Sequence, residues 1–286
     1  MMKAALRPNL EKTNARACTQ EILQTLHRLG MQAGMLASLG ALFPEADFFA
    51  PDTDTLLMAS QFVIAVGGDG TIIHAARHAA RADRPILGVN TGHLGFVAEL
   101  ETDELPCLAR LKTGAFSEER RILLRAAFST ADGETHRLDA LNDVVLTRGT
   151  TAGILDLSVS FNSTQLMHCR ADGLIFSTPT GSTAYSLSAG GPFVAPDLTC
   201  FLLTPICAHS LMSRPVVFGE DAALKTTVCA GGGAFVSVDG GKALPLLPGG
   251  TLTVFRSPYT ARFVKLKQDS FYAIIDQKFT ERREKP

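Results

Sequence analysis

Apolar residues in the first 118 positions follow two rhythms. Ala15, Cys18, Ile22, Leu26 and Leu29 recur three or four apart, which predicts an amphipathic helix that Gly30 stops. Phe62-Val63-Ile64-Ala65-Val66 is an unbroken apolar run, the pattern of a strand buried on both faces. A helix from about Gly70 to Ala82 follows, with Ile72, Ile73, Ala76, Ala79 and Ala80 for packing and Pro85 beyond its end. Ile86-Leu87-Gly88-Val89 reads as the next buried strand, and Lys3–Leu6, cut off by Arg7 and Pro8, as a short first one. Strand, helix and strand in this order predict parallel neighbours joined by a right-handed crossover.

Beyond residue 118 the period shortens to two. Leu155, Leu157, Val159 and Phe161 alternate with Asp156, Ser158 and Ser160. Phe235–Val238, Asp239-Gly240-Gly241 and Ala243–Leu247 predict a hairpin around a glycine turn. Leu252–Phe255 and Ala261–Leu266 read as two more short strands, and Phe271–Phe279 as a helix returning to the first domain. The expected division is an α/β domain over 1–118, a β-rich domain over 119–267, and a terminal segment, 268–286, packed back on the first.

Composition narrows the function classes. A chain of 286 residues suits two domains at roughly 150 residues each. With 46% hydrophobic and 19% charged residues it is not intrinsically disordered. A net charge of -1, no Trp and three Tyr argue against a nucleic-acid partner. No apolar run approaches the roughly 18 residues of a membrane span, and the Arg7-Pro8 break argues against a signal peptide. A cytoplasmic protein with no membrane partner is expected. The six Cys residues lack C-x-x-C spacing, so they read as reduced core thiols and not as zinc ligands.

Three stretches carry candidate chemistry. Gly67-Gly68-Asp69-Gly70-Thr71 joins a buried strand to a helix, where glycines admit a close ligand and the helix N-terminus favours phosphate. An Asp in such a cradle repels phosphate, so it suits accepting a hydroxyl proton or working beside a metal ion; an ordinary helix cap is the plain alternative. Neither a P-loop nor a G-x-G-x-x-G fingerprint is present. Asp172–Pro192 sets a buried strand before a run dense in small hydroxyls with Tyr185, which suits a polar ligand such as a nucleoside, or a Ser/Thr loop capping a short helix. Asn142-Asp143 pairs an amide with a carboxylate, fit to grip ribose hydroxyls or simply to turn the chain; Asp239-Gly240 is explained by its hairpin turn.

These blocks together resemble the NAD kinase family: VGGDGT at 66–71, LNDVVL at 141–146 and DGLIFSTPTGSTAYSLSAGGP at 172–192, with NTGHLGF at 90–96, HSLMSRPVV at 209–217 and SVDG at 237–240. The resemblance implies a Rossmann-like parallel sheet in an α/β N-terminal domain, a mostly-β, sandwich-like C-terminal domain, and an active site between them. It implies NAD as acceptor, ATP or inorganic polyphosphate as donor, Mg²⁺ or another divalent metal, and a homodimer or homotetramer. Asp69 would take the proton of the adenosine-ribose 2′-hydroxyl. Gly68, Gly70, Thr71 and His74 would stand by the ligand, and Phe96 would cover the adenine. Asn142 and Asp143 would hold NAD ribose and amide groups, although many members have Glu in place of Asp143. Asp172 would bind the nicotinamide end, with Arg170 near phosphate. Thr180, Thr183, Ala184, Tyr185, Ser186, Leu187 and Ser188 would shape the adenine and ribose pocket, and Asp239 would come from a neighbouring subunit. Gly153 and Gly241 stand where several members place larger side chains. GGDGT is shared with lipid kinases of the diacylglycerol and sphingosine type, so a lipid kinase remains an alternative, as does a non-catalytic NAD sensor.

Overall fold

A computed structural model describes residues 1–92, 95–130, 132–149, 153–162, 164–209, 214–246, 249–267 and 271–284. The chain forms two compact units, residues 1–120 with 260–286, and residues 121–259. In chain order the elements are β1 (Lys3–Pro8), α1 (Ala15–Arg28), β2 (Gln32–Leu36), β3 (Phe48–Ala50), α2 (Thr53–Met58), β4 (Phe62–Gly67), α3 (Asp69–Arg81), β5 (Ile86–Asn90) and α4 (Ala109–Thr113). Then come β6 (Ser117–Ser129), β7 (Thr135–Ala140), β8 (Asp143–Arg148), β9 (Leu155–Phe161), β10 (Thr164–Ala171), β11 (Gly173–Ser177) and α5 (Tyr185–Ser188). The rest are β12 (Cys200–Ile206), β13 (Val216–Gly219), β14 (Ala223–Ala230), β15 (Ala234–Val238), β16 (Leu244–Leu246), β17 (Thr251–Lys265) and α6 (Phe271–Glu284).

In the first unit β3-β2-β1-β4-β5 lie side by side, all parallel, with Ala5 opposite Val63 and Val63 opposite Ile86. All six residues of β4 are buried, as its unbroken apolar run predicts. Leu6, Ile22, Leu26, Ile64, Val66, Leu87 and Val89 share one core, joined by Val264 and Leu266 from the returning chain. From β1 the chain winds through β2 to β3 on one side, then returns to β4 and β5 on the other. The carboxyl ends of β1 and β4 therefore meet at a topological switch point, where open α/β sheets bind ligands.

The second unit holds an antiparallel sheet, β13-β12-β11-β8-β15-β16. It also holds antiparallel pairings of β10 with β9, β9 with β14, β14 with the start of β17, and β6 with β7. Leu146, Leu174, Phe176, Phe201 and Val236 from the first set share a core with Leu157, Val159, Leu224, Leu252 and Val254 from the second. This is the sheet-on-sheet arrangement that alternating strands demand.

Three expectations change. The two short strands over 252–266 are one strand, β17, because the polar interruption keeps buried partners: Ser257 is 2% exposed and its hydroxyl donates to Asp139 Oδ1 at 2.8 Å. Residues 260–267 belong with the first unit, where Phe263 pairs in parallel with Ile86, and not with the second. All six cysteines are free thiols, but Cys207 and Cys229 lie on the surface and not in the core. Leu247, at the end of the expected hairpin, lies outside the described residues. Among the described residues no helix is long and apolar enough to cross a membrane.

Candidate functional site

The β4–α3 turn sets the first group of candidates. Gly67 has φ +156°, and a Cβ there would stand 2.6 Å from Thr71 Oγ1, so this position takes only glycine without strain. Gly68 caps α3 in an extended conformation and Asp69 opens the helix. Asp69 is half-buried, and its carboxylate is not alone. Oδ2 accepts the N–H of Phe96 at 2.8 Å, and Oδ1 accepts that of Val97 at 3.3 Å. Phe96 thus meets Asp69 through its backbone. His93 and Leu94 of the same motif lie outside the described residues.

At the switch point a cavity of about 470 Å³ opens. Arg7 and Asn9 line it from the end of β1, and Gly70, Thr71 and His74 from the start of α3. The amide of Asn9 donates to Thr71 Oγ1 at 3.1 Å, tying the two chain segments together. Arg7 donates to Thr53 Oγ1 at 2.7 Å and, among the described residues, pairs with no carboxylate; burial pulls its pKa down. His74 is held below the usual imidazole range by burial and then by Arg77 and Arg7. His78, one turn on, falls to about 4 through burial and then His74 and nearby arginines. At neutral pH both imidazoles are uncharged, so Arg7 supplies the cavity's positive charge. Gly70 is exposed, with open space where a Cβ would sit. Cation, helix N-terminus and open glycine together suit an anion such as phosphate.

In the second unit the turn Leu141-Asn142-Asp143 enters β8 under strict control. The carboxylate of Asp239 accepts the N–H groups of Leu141, Asn142 and Asp143 at 2.9, 2.7 and 3.0 Å. Asp239 itself has φ +47°, in the hairpin turn expected for it. On the other side the N–H of Thr178 donates to the Asn142 carbonyl at 2.9 Å, and its hydroxyl donates to the Leu141 carbonyl. Gly181 lies so close that a Cβ would stand 2.0 Å from the Asn142 oxygen. Asp143 is 5% exposed, and burial, followed by the charge of Asp239, raises its pKa to about 7. Asn142 Oδ1 and Thr180 Oγ1 are buried without a hydrogen-bond partner. Buried polar atoms left so are uncommon and call for an explanation.

The rest of the hydroxyl-rich block divides. Thr183 is half-buried and its hydroxyl donates to the Thr180 carbonyl at 3.1 Å. Ala184 and Leu187 are half-buried, while Tyr185 and Ser188 are exposed. Ser186 is fully buried, with its hydroxyl 2.8 Å from that of Thr204, so it is spent on packing. Asp172 pairs with Arg148 at 2.7 Å, while Arg170 is exposed on β10. Residues 210–213 of the HSLMSRPVV block lie outside the described residues.

Within the first unit the structure brings together Gly68, Asp69, Gly70, Thr71 and His74 with the Phe96 backbone. Within the second it gathers Asn142, Asp143 and Asp239 beside Thr180 and Thr183. Sequence reasoning missed Arg7, Gly95, Arg148, Thr178 and Gly181. The signal for Gly95 lay in the NTGHLGF run itself; Arg7 was visible only as the end of a strand.

Residues 13–111 match the model of the ATP-NAD kinase N-terminal domain, and residues 141–266 that of the ATP-NAD kinase C-terminal domain. A protein of Symbiobacterium thermophilum described as NAD kinase is 40% identical over 282 residues, covering 98% of this chain and 99% of its own. One of Moorella thermoacetica, described likewise, is 39% identical over 287 residues, covering 98% and 90%. Among solved structures, an NAD kinase from Archaeoglobus fulgidus in complex with ATP superposes with a TM-score of 0.73 at 25% identity, covering 99% of each chain. Yeast NADH kinase complexed with NADH gives 0.87 at 20% identity, covering 98% of this chain and 88% of that one, and shows the shared fold.

Proposed function

The chain belongs to the NAD kinase family and is a kinase acting on NAD; from that premise we propose how its residues divide the work. The donor is ATP, with its phosphates in the switch-point cavity facing Arg7 and the Gly70–Thr71 backbone. The acceptor is the 2′-hydroxyl of the adenosine ribose of NAD. Its oxygen forms a bond to the γ-phosphorus as the bond to the β-phosphate oxygen breaks, ADP departs, and the hydroxyl proton passes to Asp69. The observation that carries this reading is the carboxylate of Asp69, one residue before Gly70 in the wall of a cavity whose charge is positive.

Phosphoryl transfer needs alignment and charge compensation more than covalent help. A ribose hydroxyl is a weak acid, so Asp69 acts by strengthening its hydrogen bond as the oxygen attacks. Asn142, Asp143, Thr180 and Thr183 hold NAD through groups that both donate and accept, with Ala184, Tyr185, Leu187 and Ser188 beside them, Asp172 towards the nicotinamide, and Phe96 over the adenine. An amide, a buried carboxyl and hydroxyls suit a nucleoside and not an acyl chain. Among the described residues no three His, Cys, Asp or Glu side chains gather to cage a metal. A divalent ion such as Mg²⁺, carried by the nucleotide, would offset charge on the donor phosphates. A cytoplasmic homodimer or homotetramer completes the reading, and light scattering on the purified protein checks the assembly.

The test is the Asp69→Asn variant, assayed with γ-labelled ATP and NAD and read as labelled NADP. A fall in kcat of about 10²–10⁴-fold is expected from losing a general base, with NAD affinity little changed. Near-normal turnover removes Asp69 from the chemistry. Binding of NAD with no NADP formed by the unaltered chain overturns the kinase reading itself.

A further inference from the structure

Asp69 is one half of a contact whose other half is a loop. The chain between β5 and the 3₁₀ turn that starts at Thr102 leaves the sheet at Asn90 and rejoins it at Leu100, whose carbonyl accepts the Asn90 N–H at 2.8 Å. The neck is stapled by side chains as well. Asn90 is 1% exposed, and its amide donates to both carboxylate oxygens of Glu101, at 3.0 and 2.9 Å. Its Oδ1 accepts the N–H of Gly92 at 3.1 Å, and the N–H of Thr91 donates to the Gly67 carbonyl at 3.3 Å. The loop is thus fixed at its base and tied to the β4–α3 turn.

The far side of this loop reaches Asp69. Phe96 and Val97 each donate a backbone N–H, one to each carboxylate oxygen. Gly95 makes the approach possible, since a Cβ there would stand 2.0 Å from Oδ1 and 2.7 Å from Cγ of Asp69. Two donors on two different oxygens fix the rotation of the carboxylate as well as its place. An ionised carboxylate offers about four acceptor positions, so two remain open to a substrate hydroxyl.

We propose that residues 95–97, held by the Asn90–Glu101 staple, are the positioning element for the Asp69 carboxylate, and that Gly95 is the residue on which it depends. The proposal rests on the reading of Asp69 as proton acceptor. The N–H groups of Phe96 and Val97 act on the Asp69 carboxylate, so this backbone bears on turnover, while the Phe96 ring bears on NAD affinity. A side chain at Gly95 pushes the carboxylate from its bonding position, and a displacement of about 1 Å from the productive geometry costs about 10²-fold in rate.

The experiment is a double-mutant cycle with γ-labelled ATP and NAD on the full chain, with thermal melts run alongside. Gly95→Ala is expected to lower kcat by about 10–10²-fold, with KM for ATP within about twofold of the unaltered protein. In an Asp69→Asn background the same substitution is expected to change residual kcat by less than about twofold, because the group it positions is gone. Glu101→Gln, which loosens the staple away from the carboxylate, is expected to show the same pattern with a smaller loss, and it decides the matter if Gly95→Ala does not fold. Equal losses in both backgrounds, a rise in KM for ATP in place of a fall in kcat, or unchanged turnover in a folded variant overturns the positioning role. Near-normal turnover of Asp69→Asn alone overturns the catalytic reading instead, so the two failures are told apart.

Discussion

Burial takes most of the water from Asp143, and Asp239 stands beside it as a second carboxylate. Both effects favour the protonated form, which carries its pKa from 3.8 to about 7. The sign for stability follows. Below about pH 4 the group is protonated folded or unfolded and costs nothing. Between about pH 4 and pH 7 the unfolded chain ionises while the folded one holds its proton, so stability falls as pH rises. Above pH 7 the loss is complete, on the order of a few kcal/mol. Asp143→Asn removes this penalty. Its melting temperature, measured without NAD, is expected to exceed that of the unaltered protein by more at pH 8 than at pH 5; an equal difference at both contradicts the burial argument. Arg7 makes a second case at this scale. Charge-assisted hydrogen bonds contribute about 1.5–3 kcal/mol, so Arg7→Ala is expected to raise KM for ATP about 10–10²-fold. KM for NAD should stay put, and steady-state kinetics with each substrate varied in turn checks both.

Among elements, the turn 141–143 shows how one site depends on three strands. β8 and β15 pair antiparallel with Val144 opposite Val238, which delivers Asp239 to the amides of 141–143. β8 and β11 pair with Ser177 opposite Asp143, which delivers Thr178 and Gly181 to the other side. Gly181→Ala is expected to force the Asn142 carbonyl aside, at about 1–3 kcal/mol. It should lower the melting temperature and raise KM for NAD, whereas Gly233→Ala, with open space at its Cβ and no left-handed φ, should leave both unchanged. Kinetics and melts of the two variants together test the claim. The same elements show what a reader of the sequence could see. β4, α3 and β5 were legible because burial on both faces leaves an unbroken apolar run, and a glycine turn before a helix announces itself. The carboxylates were legible as residues but not as contacts. Asp239 serves residues nearly a hundred positions away, and Arg148 finds Asp172 only once β8 lies beside β11. Ser257 looked like a strand break because its buried partner, Asp139, is remote in sequence. Nothing local encodes such pairings.

At the scale of the molecule the first unit is made from both ends of the chain, and its completion depends on residues 260–267. Phe263 pairs with Ile86, while Val264 and Leu266 sit in the core with Ile64 and Leu87. Glu99, 6% exposed, accepts from the Lys265 ammonium and from the N–H groups of Leu266 and Lys267, both at 2.7 Å. Ending the chain at Tyr259 strips that buried carboxylate of these three donors, a loss of about 3–5 kcal/mol for a buried ion pair broken on one side. It also removes the buried side chains of Ala261, Phe263, Val264 and Leu266, of which the three larger ones contribute about 1.5–3 kcal/mol each. Together these rival the whole stability of a typical domain, about 5–15 kcal/mol. A chain ending at Lys267 keeps all of these contacts and loses only α6, whose Tyr272 is 71% exposed. The shorter chain is therefore expected to lose the cooperative melt of its first unit and all transfer from ATP. The longer one should melt within a few degrees of the full protein and keep its turnover. Circular-dichroism melts and the labelled-ATP assay on both chains separate the cases, and a first unit that still melts cooperatively in the chain ending at Tyr259 contradicts the dependence on 260–267.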